Sequence, residues 1–370
     1  MSEFGPRRNL GRLDRLRALG FFIVAMMYFL FAQVLSASAA RGLTSGDWRE
    51  LISRTLLLFL LVIGYAGMGY AFQLQREPVK AMGLFRREGW KREFGLGVAL
   101  GWGGVLACVL PIALAGDLVI TLWSTPRQFG ILLLNIVVLA IASLGEEVAF
   151  RGYPFQRLIE AIGPTTATIL MALFFGLIHL RNPGATSAST LVTVLSGILL
   201  ATAYLQTRAL WLPWGFHFGW NTVMAVLFGL PVSGLNFSAV IESNSIGPRW
   251  LTGGSYGPEG SLTAVVVLVV ALVVLVKTTR EYAWKYAQPV IVPGGIPVDL
   301  DAAATRMHQA AQVQSAEPAA SNLVQIAAVT SQSPSVIAPS PQKMEAGTEP
   351  RSEAPGKIEA ELPAETEPPI

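Results

Sequence analysis

The sequence predicts an all-α fold, a polytopic helical bundle crossing a membrane about eight times, and three observations lead there. Hydrophobic residues make up 52% of the 370 and charged residues only 14%, where an ordinary soluble domain carries about 25% charge. The apolar residues arrive in blocks of about twenty, the length that a helix rising 1.5 Å per residue needs to cross roughly 30 Å of hydrocarbon. The cations gather in alternate connections between those blocks, as the positive-inside rule requires of short loops. Mean hydropathy is +0.50, so lipid is the solvent for most of the chain.

The spans read, in order, Leu16–Ser38, Thr55–Phe72, Phe94–Ala115, Phe129–Leu144, Thr166–Leu180, Ala188–Leu205, Trp211–Leu230 and Leu262–Val276. The first follows Arg7, Arg8, Arg12, Arg15 and Arg17, and Ala37-Ser38-Ala39 has the form of a signal cleavage site. Its apolar run is longer than a signal core and further spans follow, so it reads as a retained helix. The loop after the second span carries Arg76, Lys80, Arg86, Arg87, Lys91 and Arg92. This loop and residues 1–15 are therefore expected in the cytoplasm. Alternation then places loops holding Arg151 and Arg157, Arg208, and Lys277 to Lys285 on the same side, with both termini inside. The opposite side keeps Arg41, Arg49, Arg54, Arg127, Arg181 and Arg249. A transmembrane domain is thus expected over residues 16–287.

From residue 288 the chain turns to Ala, Pro, Ser, Gln and Glu, with few groups able to offset the entropy of ordering it. Residues 288–370 are expected to be a disordered cytoplasmic tail. From Asp299 on, ten acidic residues face four basic ones; removing that −6 from the whole-chain +3 leaves +9 on the membrane body. This is positive-inside bias rather than a nucleic-acid footprint. Cys108, the only cysteine, sits in an apolar run without a partner and reads as core filler.

The informative residues are the polar ones within or beside spans, where an ionisable group costs about 2.5–3.5 kcal/mol on insertion scales. The fourth span ends Glu146-Glu147-Val148-Ala149-Phe150-Arg151. If the helix continues, Glu147 and Arg151 stand four apart with the acid first, the order that favours an ion pair. Glu146 is left about 100° around the helix, free for chemistry. The fifth span ends with Phe175 one turn before His179, and the seventh holds His217 and Asn221 four apart. A lone buried histidine is usually structural, but two of the chain's three, with an Asn and a Glu pair on neighbouring spans, make a constellation. A shared site requires the fourth and fifth spans to run past their nominal edges, because those edges put Glu146 and His179 near opposite faces.

Such a set suits peptide hydrolysis. Glutamate can act as general base toward water, and imidazole can hold that water or bind a metal. His and Asn donors can stabilise the oxyanion of a tetrahedral intermediate. No GxSxG, Cys–His pair or intramembrane Asp pair offers a rival mechanism.

Together, Glu146-Glu147-x-x-x-Arg151, Phe175-x-x-x-His179 and His217-x-x-x-Asn221 resemble the motifs of the CPBP intramembrane proteases, the group that includes CAAX prenyl endopeptidases and bacteriocin-processing enzymes. The resemblance covers roughly Phe94–Val276, the expected protease core of about 94–276. It implies an intramembrane endopeptidase with Glu146 as the water-activating base and His179 positioning the water. It further implies an oxyanion hole of His217 and Asn221, and a brace of Glu147 and Arg151. Zinc and metal-independent glutamate mechanisms are both implied for the family. A zinc site would draw on His179, His217 and Glu146 from three separate spans, without a helical HExxH pair. The implied substrate is a membrane-associated peptide, prenylated or carrying a leader, cleaved in the inner membrane of a bacterium. Two other readings use the same residues. A non-catalytic scaffold or immunity protein could share the fold. A small-solute transporter would fit a helix broken near Pro213 and Gly215, although no duplication of spans accompanies it.

Overall fold

The computed structural model describes residues 11–237 and 240–280, with the backbone of two short strands, β3 (Val290–Ile291) and β4 (Pro297–Val298). All lie in the first of two units into which the chain divides, Met1–Thr305. The expected tail of 288–370 falls outside the described residues apart from those two strands.

The described chain is mostly helical, and each expected span falls on a helix. In order come α1 (Arg12–Leu43), α2 (Trp48–Gln73), the short α3 (Pro78–Ala81), α4 (Trp90–Leu114), β1 (Leu118–Leu122) and α5 (Pro126–Arg151). Then follow α6 (Tyr153–Ile162), α7 (Pro164–His179), α8 (Ser187–Thr207), α9 (Trp211–Thr222), β2 (Ile241–Ser245), α10 (Arg249–Thr252) and α11 (Leu262–Thr278). Five segments are long and apolar enough to cross a membrane: α1, α2, α4, the α5–α6 stretch and α8; α7 and α11 are apolar but shorter. Large apolar side chains such as Phe31, Phe59, Leu133, Leu177 and Val266 are exposed on the helix flanks. In water they would form an apolar belt far larger than a soluble monomer shows; in lipid they meet their own kind. The protein is an integral membrane protein.

Three expectations need correction. The fourth span does not stop at Leu144. Its helix, capped by the Thr125 hydroxyl with Pro126 in its first turn, runs to Arg151 and resumes beyond Gly152 as α6. Gly152 stands at that break because its amide bonds Val148 O at 3.1 Å, while a Cβ there would lie 2.4 Å from the same oxygen. Arg151 and Arg157 are consequently not loop cations: both are buried. Nor is the fold wholly helical, since β1 and β2 pair antiparallel from Leu118↔Ser245 to Leu122↔Ile241.

The extra helix resolves the depth of the site. At 1.5 Å per residue α6 adds about 15 Å of helix before the chain turns back at Gly163, and α7 then lays Phe175 against Phe150 of α5, ring centroids 5.0 Å apart. The connections also sort to two ends. Gln156 of α6 donates to Ala81 O at the end of α3, while Arg87 Nη2 donates to Thr207 O at 2.7 Å and Trp211 Nε1 to Phe85 O at 2.7 Å. At the other end lie the β1–β2 ladder and the Asn182–Ser233 contact, Nδ2 donating to O at 2.9 Å.

The tightest helix pair sets α9. Gly97 and Gly101 on α4 meet Gly215 and Gly219 on α9. A Cβ at Gly97 would lie 2.3 Å from Leu212 O, and one at Gly215 2.2 Å from Phe94 O. With no hydrophobic drive between helices in lipid, such backbone approach supplies the dispersion contact that associates them. Pro213 sits in the first turn of α9, where its missing N–H costs nothing, so α9 is continuous through Gly215. The broken helix that a transporter reading required is not there.

Candidate active site

α5, α7 and α9 bring the predicted residues together. Glu147 is fully buried, and Arg151 Nη1 lies 3.2 Å from its Oε1. Arg151 Nη2 donates to Gly197 O of α8 at 3.1 Å, and the guanidinium lies 4.8 Å over the Phe175 ring. The same Glu147 Oε1 accepts the Nδ1–H of His217 at 2.8 Å. Glu147 therefore joins an arginine of its own helix to an imidazole of α9 and fixes which ring nitrogen of His217 points elsewhere.

That other nitrogen faces Glu146: His217 Nε2 lies 3.7 Å from Glu146 Oε2. Unlike its neighbour, the Glu146 side chain is 26% exposed. Adjacent residues on one helix thus hold different stations, one carboxylate sealed and one open. On α7, His179 Nδ1 donates to Phe175 O at 2.7 Å. A carbonyl can only accept, so the proton of neutral His179 sits on Nδ1 and Nε2 is left with its lone pair. Phe175 lies tilted against His179 (4.5 Å between ring centroids) and stands edge-on to His217 (6.3 Å), between the two imidazoles.

His179, His217 and Asn221 line one cavity with Phe175, Ser233 and Glu259. Its volume of about 30 Å³ exceeds the roughly 10–15 Å³ that one water needs. Directly after Asn221 the helix loosens into a π-turn at Val223–Leu227, a feature found often at functional sites. Metal chemistry finds no support in this arrangement. No three His, Cys, Asp or Glu side chains among the described residues are grouped so as to hold a metal ion. His217 has one nitrogen on Glu147 and the other toward Glu146, with no third donor grouped to complete a zinc set from His179, His217 and Glu146.

Glu259 escaped the sequence reading. It lies outside every span, in the connection between β2 and α11, yet is 8% exposed and accepts from Trp220 Nε1 at 2.8 Å and from the Ser233 amide and hydroxyl. Burial pushes its carboxyl above the usual range, against the pull of the Ser233 and Trp220 hydrogen bonds. Its sequence signal is faint: one acid in the Gly-rich stretch Gly253–Gly260.

The fold and this cluster define a class of protein, a helical membrane protein in which two imidazoles line a water-sized cavity and one of them bonds a pair of adjacent glutamates. Within it, residues 128–223 match the family model of Rce1-like proteins, described as type II CAAX prenyl endopeptidase Rce1-like. The match holds all seven motif residues and about a quarter of the chain, narrower than the Phe94–Val276 of the motif reading. It shows the likeness to CAAX-type proteases. No curated protein and no solved structure matches the chain.

Proposed function

We propose that the protein is an intramembrane endopeptidase that hydrolyses a peptide bond in a membrane-associated substrate through water activated by Glu146. The observation that carries the reading is the half-open Glu146 carboxylate beside His217 Nε2, with His179 and Asn221 lining the adjoining cavity. His179 holds the water through its Nε2 lone pair, and Glu146 takes the proton as the oxygen attacks the carbonyl carbon. For Nε2 to donate to the resulting oxyanion, His217 must carry both protons, one shared with Glu147; the Asn221 amide is the second donor. Glu146 then returns its proton to the leaving amine, and the C–N bond breaks. Every proton is accounted for without a metal.

In this reading all eight spans cross the bilayer, with both termini and the Arg87–Thr207 end of the bundle in the cytoplasm. The membrane is the bacterial inner membrane, residues 16–287 form the transmembrane domain, and the substrate is prenylated or leader-bearing. The test is cleavage of quenched peptides by the full-length protein in liposomes, one peptide farnesylated on a C-terminal CAAX box and one an unprenylated membrane-anchored leader. Release by the wild type and its loss in Glu146→Gln are expected. Absence of cleavage of both, or equal cleavage by the variant, overturns the proposal.

A further inference from the structure

Glu259 is a buried carboxylate that the proposed chemistry does not use, although it lines the same cavity as His179, His217 and Asn221. Its hydrogen bonds run in two directions. One oxygen accepts from the Trp220 indole at 2.8 Å, and Trp220 precedes Asn221 on α9. The other accepts from the Ser233 amide and, at 3.0 Å, from the Ser233 hydroxyl. Ser233 carries the charge's pull onward: its carbonyl accepts from Asn182 Nδ2 at 2.9 Å, and the Asn182 amide donates to His179 O at 3.0 Å. A single carboxylate thus links the end of α7, where His179 sits, to the stretch of α9 that carries Asn221.

The link holds a strained residue. Ser233 has φ +47°, a left-handed conformation that a side chain other than Gly, Asn or Asp rarely adopts, and one that persists only where surrounding contacts over-determine it. Two bonds from Glu259 and one from Asn182 supply that determination. A carboxylate accepting three donors has most of its lone-pair capacity taken and little left for a cation.

We propose that Glu259 is a positioning residue that sets the separation of His179 and Asn221 across the cavity by clamping Ser233 and Trp220 together. The proposal rests on the peptidase reading for its kinetic consequence but not for its geometric one. Glu259→Gln puts an amide donor against one set of donors, so the clamp opens on one side while side-chain volume is kept. Displacing a positioned group by about 1 Å costs on the order of 10² in rate.

The experiment compares full-length wild type and Glu259→Gln in liposomes on the farnesylated CAAX and leader peptides. In parallel, the imidazole signals of histidine-labelled protein in detergent are recorded, those of His179 and His217 being assigned by single substitutions. The expected result is a kcat lower by tenfold or more with KM within twofold, together with a displaced His179 signal. Unchanged kcat, or an unmoved His179 signal, overturns the proposal even if the melting temperature falls, because the carboxylate is then a staple only. Should Glu259→Gln fail to fold, Ser233→Ala removes just the hydroxyl donor and is expected to lower kcat about threefold with the same signal moving. If the wild type cleaves neither peptide, the peptidase reading fails, and the His179 signal alone decides whether the clamp exists.

Discussion

Two buried ion pairs of this protein have nearly the same construction and very different surroundings. Arg87 lies 2.6 Å from Glu93 and also donates to Thr207 O; Arg151 lies 3.2 Å from Glu147 and also donates to Gly197 O. Both carboxylates are buried, and both arginines finish on a carbonyl of α8. The second pair differs in that its carboxylate also receives His217 and stands next to a partly exposed glutamate. Burial and pairing alone do not mark chemistry in a membrane, because a paired charge can simply tie a loop to a helix. An imidazole with one nitrogen anchored and one turned to an open carboxylate is what separates the two regions.

Substitutions can break or sharpen that contrast. The largest effect is expected from Glu146→Gln, which keeps size and most hydrogen bonding while removing the base: peptide release should fall by about 10²–10⁴ with the melting temperature in detergent retained. Full activity would dissolve the distinction between the regions. Asn221→Ala should follow at about 10²–10³, the usual cost of one oxyanion donor, again at constant melting temperature. Arg151→Ala works on the fold instead. It strands Glu147 without its cation, a loss of about 3–5 kcal/mol for a buried pair, so thermal unfolding should shift clearly downward along with the rate.

The matching change in the other pair, Arg87→Ala, should be milder because Arg87 is 12% exposed and water can reach the vacated side; about 1–3 kcal/mol is expected. The rate per folded molecule should stay at the wild-type level, and a kinetic defect equal to that of Arg151→Ala would make the two pairs equivalent after all. The smallest effect is expected from removing metals. Prolonged chelation should leave the cleavage rate within twofold, and loss restored by zinc would revive the metal reading of His179, His217 and Glu146.

Much of the architecture was legible before any coordinates. Apolar block length located the helices, because crossing hydrocarbon imposes a length that shows directly in sequence. The four-residue spacing from Glu147 to Arg151 made their contact legible for the same reason: helical neighbours are local. The end of α5 is not legible from charge, because a cation in sequence suggests an interface whereas Arg151 and Arg157 are buried and paired with Glu147 and Glu160. Glycine spacing on α4 and α9 was present in the sequence, but spacing does not say which helix a glycine will meet.

What the sequence by itself determined is therefore what acts within one turn or one span: helix positions, membrane solvent, the Glu–Arg pair and the three motifs. Only the tertiary structure decided which nitrogen of His217 faces Glu146, how α6 and α7 bring His179 to the same cavity, and that Glu259 joins it from a distant connection. Those outcomes depend on contacts between residues distant in the chain, such as Phe150 with Phe175, Trp220 with Glu259, and Glu146 and Glu147 with His217. Such contacts form only when helices pack side to side, and no local periodicity encodes them.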